Sequence, residues 1–250
     1  MIWALLLLAV FVGVWELYVA ASGVSDIVLP PPHEVARSLV EDADLLWDNF
    51  QSTALIVGGG VVLALVVGAL LALALHLSTR ARRATYPFLV ASQAMPIPVL
   101  APLLVVWLGF TIGPKLAIVA LVCFFPVVVT TLDALQRADR DQLKMLRSLG
   151  ATRWQRMRWV EIPTAMPAAL SGAKIALAVA VIGAVFAEDA GAEEGLGRMI
   201  TQANAQYDIA TSFAAVVVLG LFAVTLFYAL QSAERRIAPW AHPSPNRSLT

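Results

Sequence analysis

Charge is scarce in this chain. Asp, Glu, Lys and Arg make up only 14% of its 250 residues, where a soluble domain would carry about a quarter. That shortage excludes an ordinary water-soluble fold. Cysteine occurs once, as Cys123 inside an apolar run, which excludes an intrachain disulfide and leaves the redox compartment unread. Histidine occurs three times, scattered, with no HExxH and none near Cys123 in sequence. No sequence-local set of catalytic or metal-ligating groups is therefore present. There is also no GxxxxGK followed by Ser or Thr, so the chain has no nucleotide-phosphate loop of that kind.

What the chain has in abundance is apolar length. Sixty per cent of its residues are hydrophobic and the mean hydropathy is +0.79. Several runs reach the roughly 20 residues needed to cross a bilayer core as a helix. Six spans are expected, near 2–21, 50–77, 87–109, 112–132, 166–187 and 211–231, which makes an all-α, polytopic helix bundle. The N-terminal run resembles a signal peptide only in hydropathy. It lacks a basic start, and Trp15-Glu16-Leu17-Tyr18 is no small-residue cleavage site, so it reads as a first membrane helix.

The second span carries Gly58-Gly59-Gly60 and Gly68, small residues that let helix backbones approach in lipid; simple packing is the reading preferred. The third contains Pro96, Pro98 and Pro102, which must kink or break it and free backbone carbonyls. Packing at a bundle centre and lining a pathway are both open readings of that cluster. Gln93 and Met95 beside it, with Pro96 and Pro98, are the candidate pathway residues.

Charge sorting sets the orientation. With a cytoplasmic N-terminus, thirteen basic residues fall on inner segments, among them Arg80, Arg82, Arg83 and Arg137, whereas only Arg37, Lys115 and Arg198 fall outside. This is a positive-inside bias, and six crossings put both termini in the cytoplasm. A first outer loop (27–49) opens with Leu29-Pro30-Pro31-Pro32 and continues into the start of an amphipathic helix from His33. A second outer loop spans 188–210. His33 reads as a loop or capping histidine. Of the ionisable groups within spans, Glu16 is expected to pair with a neighbouring helix, and His76 and Lys174 to snorkel toward the cytoplasmic face; Glu188 stands at the edge of the membrane. The tail 241–250, with Pro243 and Pro245, is expected to be disordered.

The basic stretch between spans four and five, 134–165, is the most specific feature. Leu143, Leu146, Leu149 and Trp154 recur at nearly helical spacing, with Lys144, Arg147 and Arg153 between them and Arg156 and Arg158 following. Gly150 interrupts the pattern and supplies a turn or close-approach position. The spacing predicts a short helix, a glycine turn and a second short helix closed by Pro163. Such an element presents an apolar ridge with a basic rim, suited to a groove on a partner. A loop merely touching anionic lipid needs charge but no such order.

The run Leu149-Gly150-Ala151-Thr152-Arg153-Trp154, followed by Glu161-Ile162-Pro163, resembles the cytoplasmic coupling loop of bacterial ABC importer permeases. The family's Glu-Ala-Ala opening is replaced here by Lys144-Met145-Leu146, which puts in doubt any salt bridge of that Glu. Leu29-Pro30-Pro31-Pro32, Met95-Pro96-Ile97-Pro98 and the Phe186-Ala187-Glu188 to Gly195-Leu196-Gly197 region resemble the nitrate/sulfonate/taurine-type branch. The C-terminal third is most like permeases for thiamine precursors of the hydroxymethylpyrimidine kind.

The resemblance implies a type I ABC importer permease fold in one transmembrane permease domain, 1–250, in the bacterial inner membrane. The implied partners are a dimer of ATP-binding subunits, an extracytoplasmic substrate-binding protein, a second permease copy and the lipid bilayer, with no nucleic acid. ATP and Mg would belong to the partner ATPase, and this chain would hold no cofactor and perform no catalysis. ATPase coupling is expected of Lys144, Leu146, Arg147, Leu149, Gly150, Ala151, Arg153, Trp154 and Pro163. A thiamine-precursor pyrimidine is the preferred substrate, with sulfonate, nitrate or another small heterocycle as alternatives. Readings of other classes are an intramembrane enzyme, a vitamin-uptake subunit lacking a soluble binding protein, and an ion-coupled transporter. The missing catalytic clusters and internal repeats count against the first and last.

Overall fold

The computed structural model describes residues 2–241; apart from Ala241, the tail expected to be disordered lies outside the described residues. The described chain is helical, with no strand among those residues. In order run α1 (Ile2–Ser22), α2 (Pro32–Glu41), α3 (Ala43–Leu77), α4 (Thr79–Ser92), α5 (Ile97–Leu108), α6 (Ile112–Gln136), α7 (Arg140–Ser148), α8 (Arg153–Arg156), a π-helical turn (Met157–Glu161), α9 (Ile162–Asp189), α10 (Leu196–Ala205) and α11 (Ile209–Ile237), ending in a 3₁₀ turn at Pro239–Ala241.

Four helical stretches are long and apolar enough to cross a membrane: Ala43–Leu77, Ile112–Gln136, Arg153–Asp189 and Ile209–Ile237. The shorter apolar Leu6–Ser22 and the pair α4–α5 complete the six expected segments. The third segment differs from a single span over 87–109, because α4 and α5 meet at a bend of 102°. Pro96 lacks an N–H and drives the preceding residue away from helical dihedrals. The helix therefore stops at Ser92 and restarts behind Pro96, with Pro98 in the first turn, where a missing N–H is tolerated. Helical ends also reach into the expected loops. α3 begins at Ala43 inside 27–49, and α10 occupies part of 188–210.

Two compact units divide these residues. The first contains the chain up to Leu55 and Val185–Phe222. In it Glu16 pairs with His33 of α2 at 2.8 Å, the partner expected of Glu16, and Trp15 packs on Phe213 with ring centroids 5.7 Å apart. The N-terminus of α10 is closed by three side chains. Asn49 Oδ1 accepts from Gly195 N–H at 2.8 Å, Thr53 Oγ1 from Leu196 N–H at 2.9 Å, and Glu188 Oε2 from Gly197 N–H at 2.7 Å. A helix start leaves such donors without intrahelical partners, and carboxyl oxygens suit its positive end. Glu188 is fully buried in doing so. A side chain at Gly197 would stand 2.7 Å from the Val185 backbone and 2.9 Å from Glu188 Oε2. The Gly-Leu-Gly spacing is thus a packing requirement.

The second unit contains Ile56–Ala184 and the chain from Ala223 onward. Ala72 and Leu75 of α3, Leu89 of α4, and Val128 and Leu132 of α6 form one buried cluster. At Gly60 a Cβ would meet Val119 at 2.5 Å, so α3 and α6 touch through a backbone surface, the packing role expected of the glycine run. Lys174 of α9, expected to snorkel, instead contacts the Glu234 carboxylate of α11, and Glu234 is buried. Removing one member of such a pair strands the other charge, whereas replacing both with apolar groups of similar volume is tolerated. Lys174→Met is therefore expected to lower stability by about 3 kcal/mol, and Lys174→Met with Glu234→Leu to recover most of that loss. Thermal unfolding midpoints in detergent check both.

Candidate functional site

The basic segment between α6 and α9 is a built structure. Asp139 caps α7, its Oδ1 accepting from Asp141 N–H at 2.8 Å. Lys144 pairs with Asp141 one turn away at 2.8 Å, both side chains highly exposed. Such a surface pair contributes little to stability, so the Lys144 ammonium points to solvent from a preferred position.

Helix α7 ends in a Schellman cap. Ala151 N–H donates to Leu146 O at 2.9 Å and Gly150 N–H to Arg147 O at 3.0 Å, with Gly150 at φ +80°. Those two bonds satisfy carbonyls that the helix end leaves open, and they need a left-handed residue between them. The next residue starts the following helix. Thr152 Oγ1 accepts from Gln155 N–H at 3.3 Å, and Gln155 Oε1 accepts from Thr152 N–H at 2.7 Å, a reciprocal capping box. Leu-Gly-Ala-Thr is therefore the cap of one helix joined to the cap of the next, and the turn between them has little freedom.

The second helix does not close at Pro163. It runs through the π turn into α9 as one helix, Arg153–Asp189. Ile162 N–H bonds to Met157 O, five residues back. A wider turn placed just ahead of Pro163 relieves the crowding that a proline ring imposes on the preceding turn, so the proline shapes the helix without ending it. Pro163 is half-buried within that helix.

A depression of about 300 Å³ lies between the two helices, lined by Leu146, Leu149, Gly150, Ala151, Gln155 and Trp159. Leu149 is 72% exposed and Trp159 70%; Met145 and Trp154 are exposed as well. Of the expected ridge of Leu143, Leu146, Leu149 and Trp154, Leu149 and Trp154 are exposed and Leu143 and Leu146 half-buried, with Arg147 exposed at its edge. Arg153 is exposed, and its Nη2 donates to Leu77 O at 2.7 Å. Trp159 escaped the sequence pattern because the five-residue spacing from Trp154 breaks the 3.6-residue period across the π turn.

The expected pathway residues are only partly gathered. Gln93 lines a cleft of about 510 Å³ with Ile97, Phe125, Pro126, Thr130 and Ile175. Met95, Pro96 and Pro98 are exposed but are not part of its wall. No charged side chain lines that cleft.

Residues 60–241 match the family described as the binding-protein-dependent transport system inner membrane component. The chain belongs to that family. It is 34% identical over 227 residues to the formylaminopyrimidine transport permease protein of Halalkalibacterium halodurans, covering 91% of each chain. It is 34% identical to the riboflavin transport system permease protein of Chloroflexus aurantiacus, covering 94% of this chain and 88% of the relative. The taurine transport system permease protein of Escherichia coli is 28% identical, with 93% and 87% covered. A solved chain of the inward-facing methionine ABC transporter MetNI matches with a TM-score of 0.62 at 22% identity, over 86% of this chain and 99% of that one. The fold is that of type I ABC importer permeases. The protein is thus a non-catalytic, multi-pass permease subunit of an ABC importer, a class that works with an ATPase.

The cap-to-cap junction yields a local test. Thr152→Ala removes the capping hydroxyl and is expected to cost about 1 kcal/mol, read as roughly fivefold faster hydrogen exchange at the amides of residues 153–156 with the distant α3 amides unchanged.

Proposed function

We propose that the ridge carrying Leu149, Trp154 and Trp159 is the docking element for an ATP-binding subunit dimer on the cytoplasmic face, and that the permease acts as a two-fold pair fed by an extracytoplasmic binding protein. The observation that carries this reading is the exposure of those three large apolar side chains on a doubly capped, rigid turn. Exposed aromatic and aliphatic groups beside a shallow depression are the anchor pattern of protein interfaces. Leu146, Gly150 and Ala151 shape the depression, Lys144 and Arg147 supply its basic surroundings, and Arg153 holds the element to α3. ATP and Mg are bound by the partner, and both termini lie on its side, as the basic residues require.

The solute is a small, uncharged heterocycle of the pyrimidine kind. Two observations support this over a sulfonate or nitrate. The chain is more similar to the formylaminopyrimidine permease, at 34% identity, than to the taurine permease, at 28%. The cleft at Gln93 also offers an amide and the Thr130 hydroxyl among apolar walls, with no cation to compensate an anion.

The decisive experiment is purification of the tagged permease with its associated subunits and measurement of ATP hydrolysis in liposomes. Co-purification of an ATPase, with hydrolysis raised by a pyrimidine-loaded binding protein, is the expected result. Stimulation by taurine alone would overturn the solute class, and absence of any ATPase would overturn the docking assignment. Gly150→Val, which forces a β-branched residue to φ +80° at roughly 1–3 kcal/mol, is expected to leave membrane insertion and dimerisation intact and abolish both uptake and stimulated hydrolysis.

A further inference from the structure

Helix α3 is remote in sequence from the basic segment, yet two side chains tie them together. Arg153 Nη2 donates to Leu77 O at 2.7 Å across 76 residues. His76 Nε2 and Glu161 Oε2 stand 3.0 Å apart across 85 residues. Leu77 is the last residue of α3, so its carbonyl is among those left without an intrahelical donor. A guanidinium is well matched to that negative end. The His76 and Glu161 side chains are only 15% and 16% exposed, so the contact is largely shielded from water and much less screened than a surface pair.

The position of the two ties matters more than their strength. Arg153 begins α8 and Glu161 ends the π turn, so together they bracket the stretch that carries Trp154, Gln155 and Trp159. That stretch continues as one helix into α9. π turns differ from their neighbours by one residue of register, which makes 157–161 a natural place for the helix to yield under load. With both ends held to α3, displacement of the ridge is shared with α3 and is not absorbed in the turn.

We infer that His76 and Glu161 are positioning residues that make α3 a second output of the docking ridge, so that the stroke of the ATPase reaches α3 through a side-chain link as well as α9 through the chain. This rests on the docking assignment above. Lys174 and Glu234, the other shielded pair of this unit, do not touch the bracketed stretch and have no part in it.

The test uses the complete importer in liposomes, comparing wild type with Glu161→Leu, Glu161→Gln, His76→Leu and the His76→Leu/Glu161→Leu double variant. The two single leucine variants are expected to co-purify with the ATPase as wild type does and to keep its basal hydrolysis. Uptake per ATP hydrolysed should fall about tenfold, within the usual range of coupling between sites. Glu161→Gln, which can still bond the imidazole, should retain most of the uptake. The double variant should be no worse than either single, as for two ends of one link. Unchanged uptake per ATP in Glu161→Leu, or a loss in Glu161→Gln as large as in Glu161→Leu, would overturn the link. Loss of the ATPase from wild type itself would instead overturn the docking assignment.

If the leucine variants fail to fold, His76→Cys/Glu161→Cys in a Cys123→Ala background supplies the same test. Bridging the two thiols with a short bifunctional methanethiosulfonate should restore uptake per ATP relative to the unbridged protein. No recovery on bridging would refute the link.

Discussion

A bilayer core offers no partner to a backbone N–H or C=O, and almost every feature of this permease answers that constraint. Long runs of Leu, Ala and Val become helices because a helix satisfies its backbone internally. At three of the helix interruptions the donors or acceptors exposed are met by named groups. Asn49, Thr53 and Glu188 meet the start of α10. Arg153 meets the end of α3. A Schellman cap and a capping box meet the two ends that face each other across Gly150. These interruptions are where the chain presents polar and aromatic groups, since an uninterrupted apolar helix presents only lipid-like surface.

The basic segment converts that requirement into a rigid projection. Its turn is held by four backbone or capping bonds and one residue at positive φ, so the apolar groups around it are presented with little conformational entropy left to lose on docking. A flexible basic loop would meet anionic lipid equally well without such order. The π turn behind it is a change of register in the Arg153–Asp189 helix, and the ties to His76 and Leu77 stand at its end and ahead of it.

Much of this was legible from residue order. Hydropathy and basic-residue sorting locate the apolar segments, and Gly150 within a helically spaced pattern announces a helix end followed by a second helix. Three features were hidden. Pro163 reads as a stop but lies within a continuous helix, since a wider turn ahead of it accommodates the ring. Trp159 falls off the helical period for the same reason. His76 and Lys174 read as snorkelling side chains, whereas each finds a carboxylate, Glu161 and Glu234.

Composition and local pattern by themselves determined that this chain is a helical membrane protein with one ordered, basic segment between apolar helices. Those properties depend on transfer free energy and short-range hydrogen bonding, which act over one or two helical turns. Only the tertiary structure decided which ionisable groups pair, how sharply α4 and α5 bend, and that Arg153 bonds the last carbonyl of α3. Such pairings join residues some 60 to 85 positions apart. They are set by the register at which packed helices meet, and no local periodicity encodes that register.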